Sequence, residues 1–280
     1  MRFVSYVRKG VVGFGAMVEG GIAELSSLRD GGSLRAFIAA GHERVAVPFE
    51  GRAADFHIND VQLLPVLPDP GKILCVGLNY ETHRLETKRP DAKYPTIFTR
   101  FADSQIAHGQ PIIKPSHSDS LDYEGELAVI IGRGGRNIPE RRALEHVFAY
   151  SCYNDATIRD WQRHTHQFTP GKNFPGTGAF GPWAVTPDEL CPLGSQTIQT
   201  RLNGEIMQSA TLGDMIFSVE QIIAYCSAFT PLSPGDVILT GTPGGVGDRR
   251  EPPVFMKPGD VVEVEIAGVG ILSNPVVAQS

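Results

Sequence analysis

The segment Leu121–Gly132, LDYEGELAVIIG, joins two carboxylates to a long apolar run. Side chains alternate between the two faces of a strand, so Glu124 and Glu126 point the same way, about 6.5 Å apart at a rise of about 3.3 Å per residue. The apolar run Leu127–Ile131 follows directly and predicts a buried strand. This segment therefore places two acidic side chains at the entrance to a core.

Two carboxylates that enter a core together need a positive partner, because like charges at this distance cannot both ionise in a low dielectric. A hard divalent cation with oxygen ligands is the simplest such partner. In the alternative, Glu124 and Glu126 line the solvated face of an edge strand, with Tyr123, Gly125 and Leu127 turned inward. Taken alone, the segment favours the edge strand, and the rest of the chain changes that balance.

The composition argues against several classes of partner. Lys and Arg number 25 and Asp and Glu number 31, which gives a formal net charge of −6. This acidity, without a block of basic residues, argues against nucleic acid or an anionic membrane as a partner. No apolar run reaches membrane-spanning length, and the N-terminal MRFVSYVRKG lacks the apolar core of a signal peptide. The four cysteines form no C-x-x-C pair, so we expect a cytoplasmic protein with reduced thiols.

The chain of 280 residues allows one large or two modest domains. We predict a small N-terminal domain over residues 1–67 and a second domain over residues 70–280, separated by a Pro- and Gly-rich linker. The first domain begins with two predicted strands, Arg2–Val7 and Gly10–Val18. A short amphipathic helix then ends at Gly41, and it is indicated by Leu28, Leu34, Phe37 and Ile38.

The second domain is predicted to be mainly β with short helices, because Gly (31) and Pro (21) are abundant and suit short strands joined by tight turns. Residues 163–183 form a predicted loop rich in Gly, Pro and aromatic residues. The other local signals are strands at Lys72–Gly77 and Thr96–Arg100, helices at Glu81–Arg89 and Pro139–Phe148, a hairpin turn at Asn203-Gly204, and a capping box at Ser218–Gln221 that starts a helix through Phe229.

A histidine and a glutamate on one predicted helix are candidates for acid–base chemistry. His83 and Glu86 are spaced i, i+3, so the carboxylate can orient the imidazole as a water-activating base. The alternative is a solvated surface helix, and spacing alone favours that alternative. Lys172 stands among small and aromatic neighbours, where it either reaches an anionic group in a pocket or remains solvated.

A third carboxylate lies in the segment Tyr150–Gln162, which predicts a strand followed by a helical turn. Asp155 stands where that strand runs into a helical turn, so it either caps the helix or joins Glu124 and Glu126. The Gly-rich loop Gly241–Gly247 lacks the Gly-Lys-Ser/Thr of a nucleotide-binding loop. We expect this loop to let backbone amides and the Thr242 hydroxyl approach a ligand closely.

Taken together, these motifs resemble the fumarylacetoacetate hydrolase family. The resemblance runs in unbroken order over roughly residues 70–275, and six motifs in sequence are far more specific than any one of them. The matching segments are Lys72–Glu86, Asp122–Glu126, Asn154–Gln162, Lys172 with Phe174, Gly241–Pro243 and Lys257–Asp260.

The resemblance implies a mixed β-sandwich roll, commonly a homodimer, preceded by the small N-terminal domain that many members carry. It implies a metal site for Mg²⁺ or Mn²⁺, with Ca²⁺ as a further candidate, held by Glu124, Glu126 and Asp155. It also implies a base pair, His83 and Glu86, on a lid that closes over a small-molecule substrate. By the same resemblance Lys172 and Gln162 assist catalysis, and the substrate is bound by Arg159, Gln162, Lys172 and Thr242.

The family acts mostly on 2-oxo acids, so the resemblance implies a metal-dependent hydrolase that cleaves the carbon–carbon bond of an acylpyruvate. Water activated by His83 would attack the 4-carbonyl and release pyruvate and a carboxylic acid. The same site could decarboxylate oxaloacetate, or isomerise or hydrate a diacid such as 2-hydroxyhepta-2,4-diene-1,7-dioate. A metal-binding module without turnover is disfavoured by the complete residue set. Lys172–Pro175 departs from the Lys-Ser-Phe-Asp of many members, so the exact substrate stays open.

Overall fold

The computed structural model describes residues 1–26, 32–41 and 52–280. These residues form many short strands, as the sequence predicts. The strands are β1 (Arg2–Arg8), β2 (Val11–Val18), β3 (Gly21–Glu24), β4 (Gln62–Leu63), β5 (Ile73–Gly77), β6 (Thr96–Arg100), β7 (Gln105–Ile106), β8 (Ile112–Lys114), β9 (Leu121–Asp122), β10 (Gly125–Ile131), β11 (Val147–Asp155), β12 (Thr157–Ile158), β13 (Gly178–Val185), β14 (Thr197–Leu202), β15 (Glu205–Thr211), β16 (Val237–Leu239), β17 (Val261–Ile266) and β18 (Gly270–Ala278).

The helices are short and lie between the strands. The α-helices are α1 (Leu34–Ala39), α2 (Glu81–Glu86), α3 (Arg159–Gln162), α4 (Thr169–Lys172) and α5 (Val219–Phe229). Short 3₁₀ segments cover Ile58–Asp60, Ala102–Ser104, Glu140–His146, Pro187–Glu189, Leu193–Ser195, Leu212–Asp214 and Gly247–Arg249. None of the helices in the described ranges is long and apolar enough to cross a bilayer.

Two large sheets build the molecule. The first has the strand order β3-β2-β1-β13-β11-β10-β16-β5-β6, with β4 added beside β1 and β7 beside β13. The second has the order β15-β14-β17-β18-β8, and β9 pairs separately with β12. Both sheets mix antiparallel and parallel pairs, since β16 runs parallel to β5 and β8 runs parallel to β18. This architecture confirms the mainly β fold.

Strand β10 lies inside the first sheet, between β11 and β16. Its apolar side chains alternate between two hydrophobic clusters: Leu127, Val129 and Ile131 belong to one, and Ala128 and Ile130 to the other. Both faces of the strand are covered, which is why it reads as a continuous apolar run. The edge-strand interpretation of Glu124 and Glu126 is therefore wrong.

The N-terminal strands extend the first sheet, because β1 pairs with β13 through Arg2↔Val185 and Phe3↔Ala184. Phe3 and Phe14 also share a hydrophobic cluster with residues of β5 and β10. The predicted strands are confirmed, and so is the helix as α1, whereas Leu28 lies outside the described residues. The division into domains at 1–67 and 70–280 stays a prediction, and the two parts share one sheet and one core.

Two predicted helices differ from expectation. Helix α2 ends at Glu86 instead of Arg89, because Lys88 adopts a φ of 55° and the Arg89 N–H donates to the Arg84 carbonyl at 3.1 Å. The Lys88 N–H donates to the Leu85 carbonyl at 3.0 Å, which completes a Schellman motif. The predicted helix at Pro139–Phe148 is a 3₁₀ segment at Glu140–His146.

The prediction of a loop over residues 163–183 is also wrong in part. Its first half contains α4, and its second half is β13, which pairs with both β11 and β1. The β13 sequence GAFGPWAV contains two glycines and a proline, and these turn signals hide the strand from pattern recognition. The hairpin at Asn203-Gly204 and the Ser218 capping box are confirmed.

Candidate active site

Three carboxylates converge where β10 and β11 meet. Glu126 is paired with Tyr153 in the antiparallel register, and the Asp155 N–H donates to the Glu124 carbonyl at 2.8 Å. Glu124, Glu126 and Asp155 therefore project from the same face of the strand pair. Their ligand oxygens lie within 4.8 Å of one another, and all three side chains are buried. The predicted triad is thus assembled by the register of two strands.

Three cations surround this triad. The Lys172 ammonium lies 2.5 Å from Glu124 Oε2 and 2.5 Å from Asp155 Oδ2. Arg159 Nη2 lies 2.6 Å from Glu124 Oε1, and Arg100 Nη1 lies 2.5 Å from Asp155 Oδ1. The prediction that Lys172 meets an anionic group is therefore confirmed, and its partners are two of the predicted metal ligands.

The surroundings of Glu124 and Glu126 shift the pKa values of these two carboxyls in opposite directions. Burial raises the pKa of Glu124, but the charges of Arg159 and Lys172 outweigh burial and lower that pKa to about 2. Burial and the charge of Asp155 raise the pKa of Glu126 well above its ordinary value. In the described part of the chain, the Glu126 carboxylate accepts a hydrogen bond from the Gly241 N–H at 2.8 Å and faces no cation directly.

An oxygen-only donor set with excess negative charge at one member suits a hard divalent cation. Such an ion would relieve the repulsion that raises the pKa of Glu126. The donor set therefore fits Mg²⁺ or Mn²⁺.

The imidazole–carboxylate pair forms on α2. His83 Nδ1 lies 2.6 Å from Glu86 Oε1, and the imidazole is buried. In a neutral imidazole, a carboxylate acceptor at Nδ1 favours the tautomer with the proton on Nδ1 and the lone pair on Nε2. In this tautomer Nε2 is the nitrogen that can act as a base.

Helix α2 is docked onto the Gly-rich loop. The Gly245 N–H donates to Glu86 Oε2 at 2.8 Å, and the Gly244 N–H donates to the Thr82 hydroxyl at 3.0 Å. Gly241 has a φ of 99°, and an added Cβ would lie 2.9 Å from the Val76 carbonyl, so the loop requires glycine there. The loop thus holds both Glu126, through Gly241, and Glu86, through Gly245.

Most of these side chains line one cavity of about 460 Å³. Glu86 and Asp155 do not line it, and they contact its lining residues His83 and Lys172. The cavity brings the triad members Glu124 and Glu126 together with His83 and Lys172. The other predicted binding residues at its wall are Arg159, Gln162 and Thr242. The sequence-predicted site residues therefore line one cavity, except Glu86 and Asp155, which contact residues of its wall.

The family can now be assigned. The family model described as "Fumarylacetoacetate (FAA) hydrolase C-terminal" matches residues 72–277. The chain belongs to the fumarylacetoacetate hydrolase family. An oxaloacetate tautomerase (fahd2, mitochondrial) from Xenopus laevis is 41% identical over 249 residues, which cover 87% of this chain and 78% of that protein.

Solved structures of the family have the same fold. A fumarylacetoacetate hydrolase from Exiguobacterium antarcticum is 37% identical with a TM-score of 0.87, and the match covers 100% of both chains. A maleylpyruvate hydrolase from Sphingobium sp. SYK-6, in complex with manganese(II) and pyruvate, is 25% identical with a TM-score of 0.81 over 100% of both chains. The predicted homodimer and cytoplasmic location remain predictions.

Two further side chains hold the predicted site residues in place, and the sequence analysis did not name them as site residues. Asp122 is fully buried and accepts from Arg159 Nε at 2.8 Å, from the Gly247 N–H at 2.8 Å and from the Asp248 N–H at 3.0 Å. It therefore ties Arg159 to the end of the Gly-rich loop. Its place beside Glu124 in the family motif was the available signal.

Gln208 is the second such residue, and it has no motif to reveal it. Its side chain accepts from the Gly125 N–H at 3.1 Å and donates to the Thr242 hydroxyl at 2.7 Å. The Thr242 hydroxyl in turn donates to the Gly125 carbonyl at 2.9 Å. The Thr242 hydroxyl is thus hydrogen-bonded to Gln208 and Gly125, and these bonds position the Gly-rich loop against β10.

Proposed function

We propose that this protein is a divalent-metal-dependent enzyme that interconverts the keto and enol forms of oxaloacetate. The observation that carries the proposal is one cavity lined by Glu124, Glu126 and His83. Asp155 completes the carboxylate triad, and Glu86 pairs with His83. The relative from Xenopus laevis, an oxaloacetate tautomerase, supports this choice among the reactions of the family.

The triad would hold Mg²⁺ or Mn²⁺, which supplies Lewis-acid stabilisation of negative charge on a 2-oxo acid. His83 takes a proton from carbon 3 of the keto acid at its free Nε2, and Glu86 stabilises the imidazolium that forms. The imidazolium then returns this proton to the enol oxygen, so no atom is gained or lost. Helix α2, docked on the Gly-rich loop, excludes bulk water during the transfer.

The charges on the cavity wall favour a substrate with two carboxylates. Besides the residues near the triad, Arg89, Arg163 and Arg249 line the cavity. Asp248 also lies there, and it pairs with Arg163 and with Arg249 Nε at 3.1 Å. Three guanidinium groups against one carboxylate leave positive charge for a second acidic group. Oxaloacetate carries that group, whereas a simple acylpyruvate does not.

The test follows the enol absorbance of oxaloacetate with Mg²⁺ or Mn²⁺ and then with a chelator, against a blank of metal ion alone. We expect protein-dependent, chelator-sensitive loss of enol without release of pyruvate. His83→Ala abolishes this activity but leaves metal binding intact. His164→Ala is the matched control, because this histidine is exposed, makes a tilted ring contact with Trp161 and does not line the cavity. Loss of metal binding in His83→Ala, or an unchanged rate, contradicts the assignment.

A second candidate is the hydrolysis of an acylpyruvate, which the neighbour solved with manganese(II) and pyruvate favours. His83 would take a proton from water, and the resulting hydroxide would add to the 4-carbonyl. The bond between carbons 3 and 4 then breaks, its electron pair goes to pyruvate enolate, and protonation of that enolate gives pyruvate. Pyruvate and a carboxylic acid released from acetylpyruvate would favour this candidate. Pyruvate and CO₂ from oxaloacetate would instead indicate a decarboxylase.

A further inference from the structure

Arg100 is a wholly buried cation that the chemistry above does not use. It ends β6, and its side chain has no exposed surface. Its guanidinium lies behind Asp155, 2.5 Å from Oδ1, whereas Oδ2 faces the Lys172 ammonium. The two oxygens of Asp155 are thus divided between Arg100, at Oδ1, and Lys172, at Oδ2.

The guanidinium is held in one orientation by several acceptors. Nη1 also donates to the Ala156 carbonyl at 3.1 Å, Nη2 donates to the Thr177 hydroxyl at 2.7 Å, and Nε donates to the Ser104 hydroxyl at 3.2 Å. Gly178 provides the space, since a Cβ there would lie 3.0 Å from Nη2 of Arg100. A rigid planar fork with this many partners fixes position as well as charge.

We propose that Arg100 is a positioning residue for the metal site: it holds Asp155 through Oδ1 so that Oδ2 alone serves as a ligand. This inference rests on the proposed function, because it takes the triad to be a metal site. Among the described residues, Arg100 is not one of those that line the cavity, so it acts on the site through Asp155.

The charge of Arg100 and its role in orienting Asp155 predict opposite changes in metal affinity when Arg100 is replaced. As a positive charge beside the triad, Arg100 repels a divalent cation, so its loss through charge alone would tighten metal binding. As the partner that orients Asp155, its loss frees the carboxylate to rotate, which weakens binding. The sign of the change in metal affinity therefore distinguishes a positioning role from a purely electrostatic one.

The experiment measures the dissociation constant of Mn²⁺ by electron paramagnetic resonance of the free ion, well below the unfolding temperature. We expect Arg100→Met to weaken Mn²⁺ binding by about tenfold or more. Arg100→Lys keeps the charge without the fork and restores part of the affinity. Thr177→Val removes one partner of the guanidinium and is expected to weaken binding a few-fold, which keeps the test available if Arg100→Met does not fold.

The matched control is Asn274→Ala. Asn274 is a buried polar residue whose side chain donates to the carbonyls of Ala107 and Gln110, away from the triad. We expect the Asn274→Ala substitution to lower the stability of the protein without changing its Mn²⁺ affinity. Unchanged or tighter Mn²⁺ binding in both Arg100→Met and Thr177→Val overturns the positioning role alone. Absence of Mn²⁺ binding by the wild-type protein overturns the metal site itself, and the proposed function with it.

Discussion

Replacing Glu86 by Gln tests the base pair most directly. Glu86 accepts two hydrogen bonds, from His83 Nδ1 at 2.6 Å and from the Gly245 N–H at 2.8 Å. A glutamine amide has one accepting oxygen and one donating nitrogen, so it cannot satisfy both partners. If its oxygen accepts from Gly245, its NH₂ faces Nδ1 and forces the proton of His83 onto Nε2. The imidazole then presents a proton where the reaction needs a lone pair.

The magnitude follows from these contacts. A positioned general base contributes about 10²–10⁴-fold to the rate, so Glu86→Gln should lower kcat by a factor in that range. One hydrogen bond to a charged group is lost, which costs about 1–3 kcal/mol of stability, with the lower part of the range expected because the Glu86 side chain is 21% exposed. Metal affinity should change little, because Glu86 contacts His83 and Gly245 instead of the triad.

The assay is the steady-state rate of oxaloacetate enol loss, measured together with Mn²⁺ affinity and urea unfolding. Glu81→Gln is the control, because Glu81 lies on the same helix, is 56% exposed and pairs with Arg84 at 2.5 Å. It should retain the wild-type rate. A Glu86→Gln enzyme whose kcat stays within about threefold of wild type would refute the tautomer argument.

Three further predictions concern the fold around the site. Ile130→Ala should cost about 2–5 kcal/mol in urea unfolding, because Ile130 is completely buried in β10; a cost below 1 kcal/mol would contradict this. Gly245→Ala should lower both stability and kcat, since Gly245 has a φ of 101° and an added Cβ would lie 2.2 Å from the Met207 carbonyl; an unchanged kcat would argue against the docked helix. Hydrogen bonds from the Thr211 backbone and hydroxyl lower the pKa of Asp214, so it stabilises the fold above about pH 4 and loses this effect as the pH falls. Asp214→Asn should therefore cost about 0.5 kcal/mol at pH 7 and nothing near pH 2; an equal cost at both pH values would exclude the charge as the cause.

Local sequence patterns were sufficient for the elements whose signals are local. The Asn203-Gly204 turn, the Ser218 capping box and the apolar run of β10 each depend on neighbours in sequence, and all three are present. Strand geometry alone predicts that the side chains of Glu124 and Glu126 point to the same face of the strand. The i, i+3 spacing of His83 and Glu86 likewise brings their side chains together on any helix.

The tertiary structure determined what depends on residues far apart in sequence. Whether β10 lies at an edge or inside the sheet is settled by β11 and β16, which no pattern within Leu121–Gly132 encodes. Strand β13 is Gly-rich, and it is a strand only because β11 and β1 pair with it on either side. Arg100 reaches Asp155 across 55 residues of sequence, so only folding shows that it is buried against a predicted ligand.

The residues of the candidate site were thus visible in the sequence, because their types and local spacing suit the chemistry. The residues that hold these side chains in place were not visible in the sequence. A buried charge or amide acquires its role from the groups that fold against it, and those contacts arise when separate strands pack together. For this chain the sequence by itself determined which side chains can bind a cation and move a proton. Only the packing of the two sheets determined which of the remaining polar residues hold them in place.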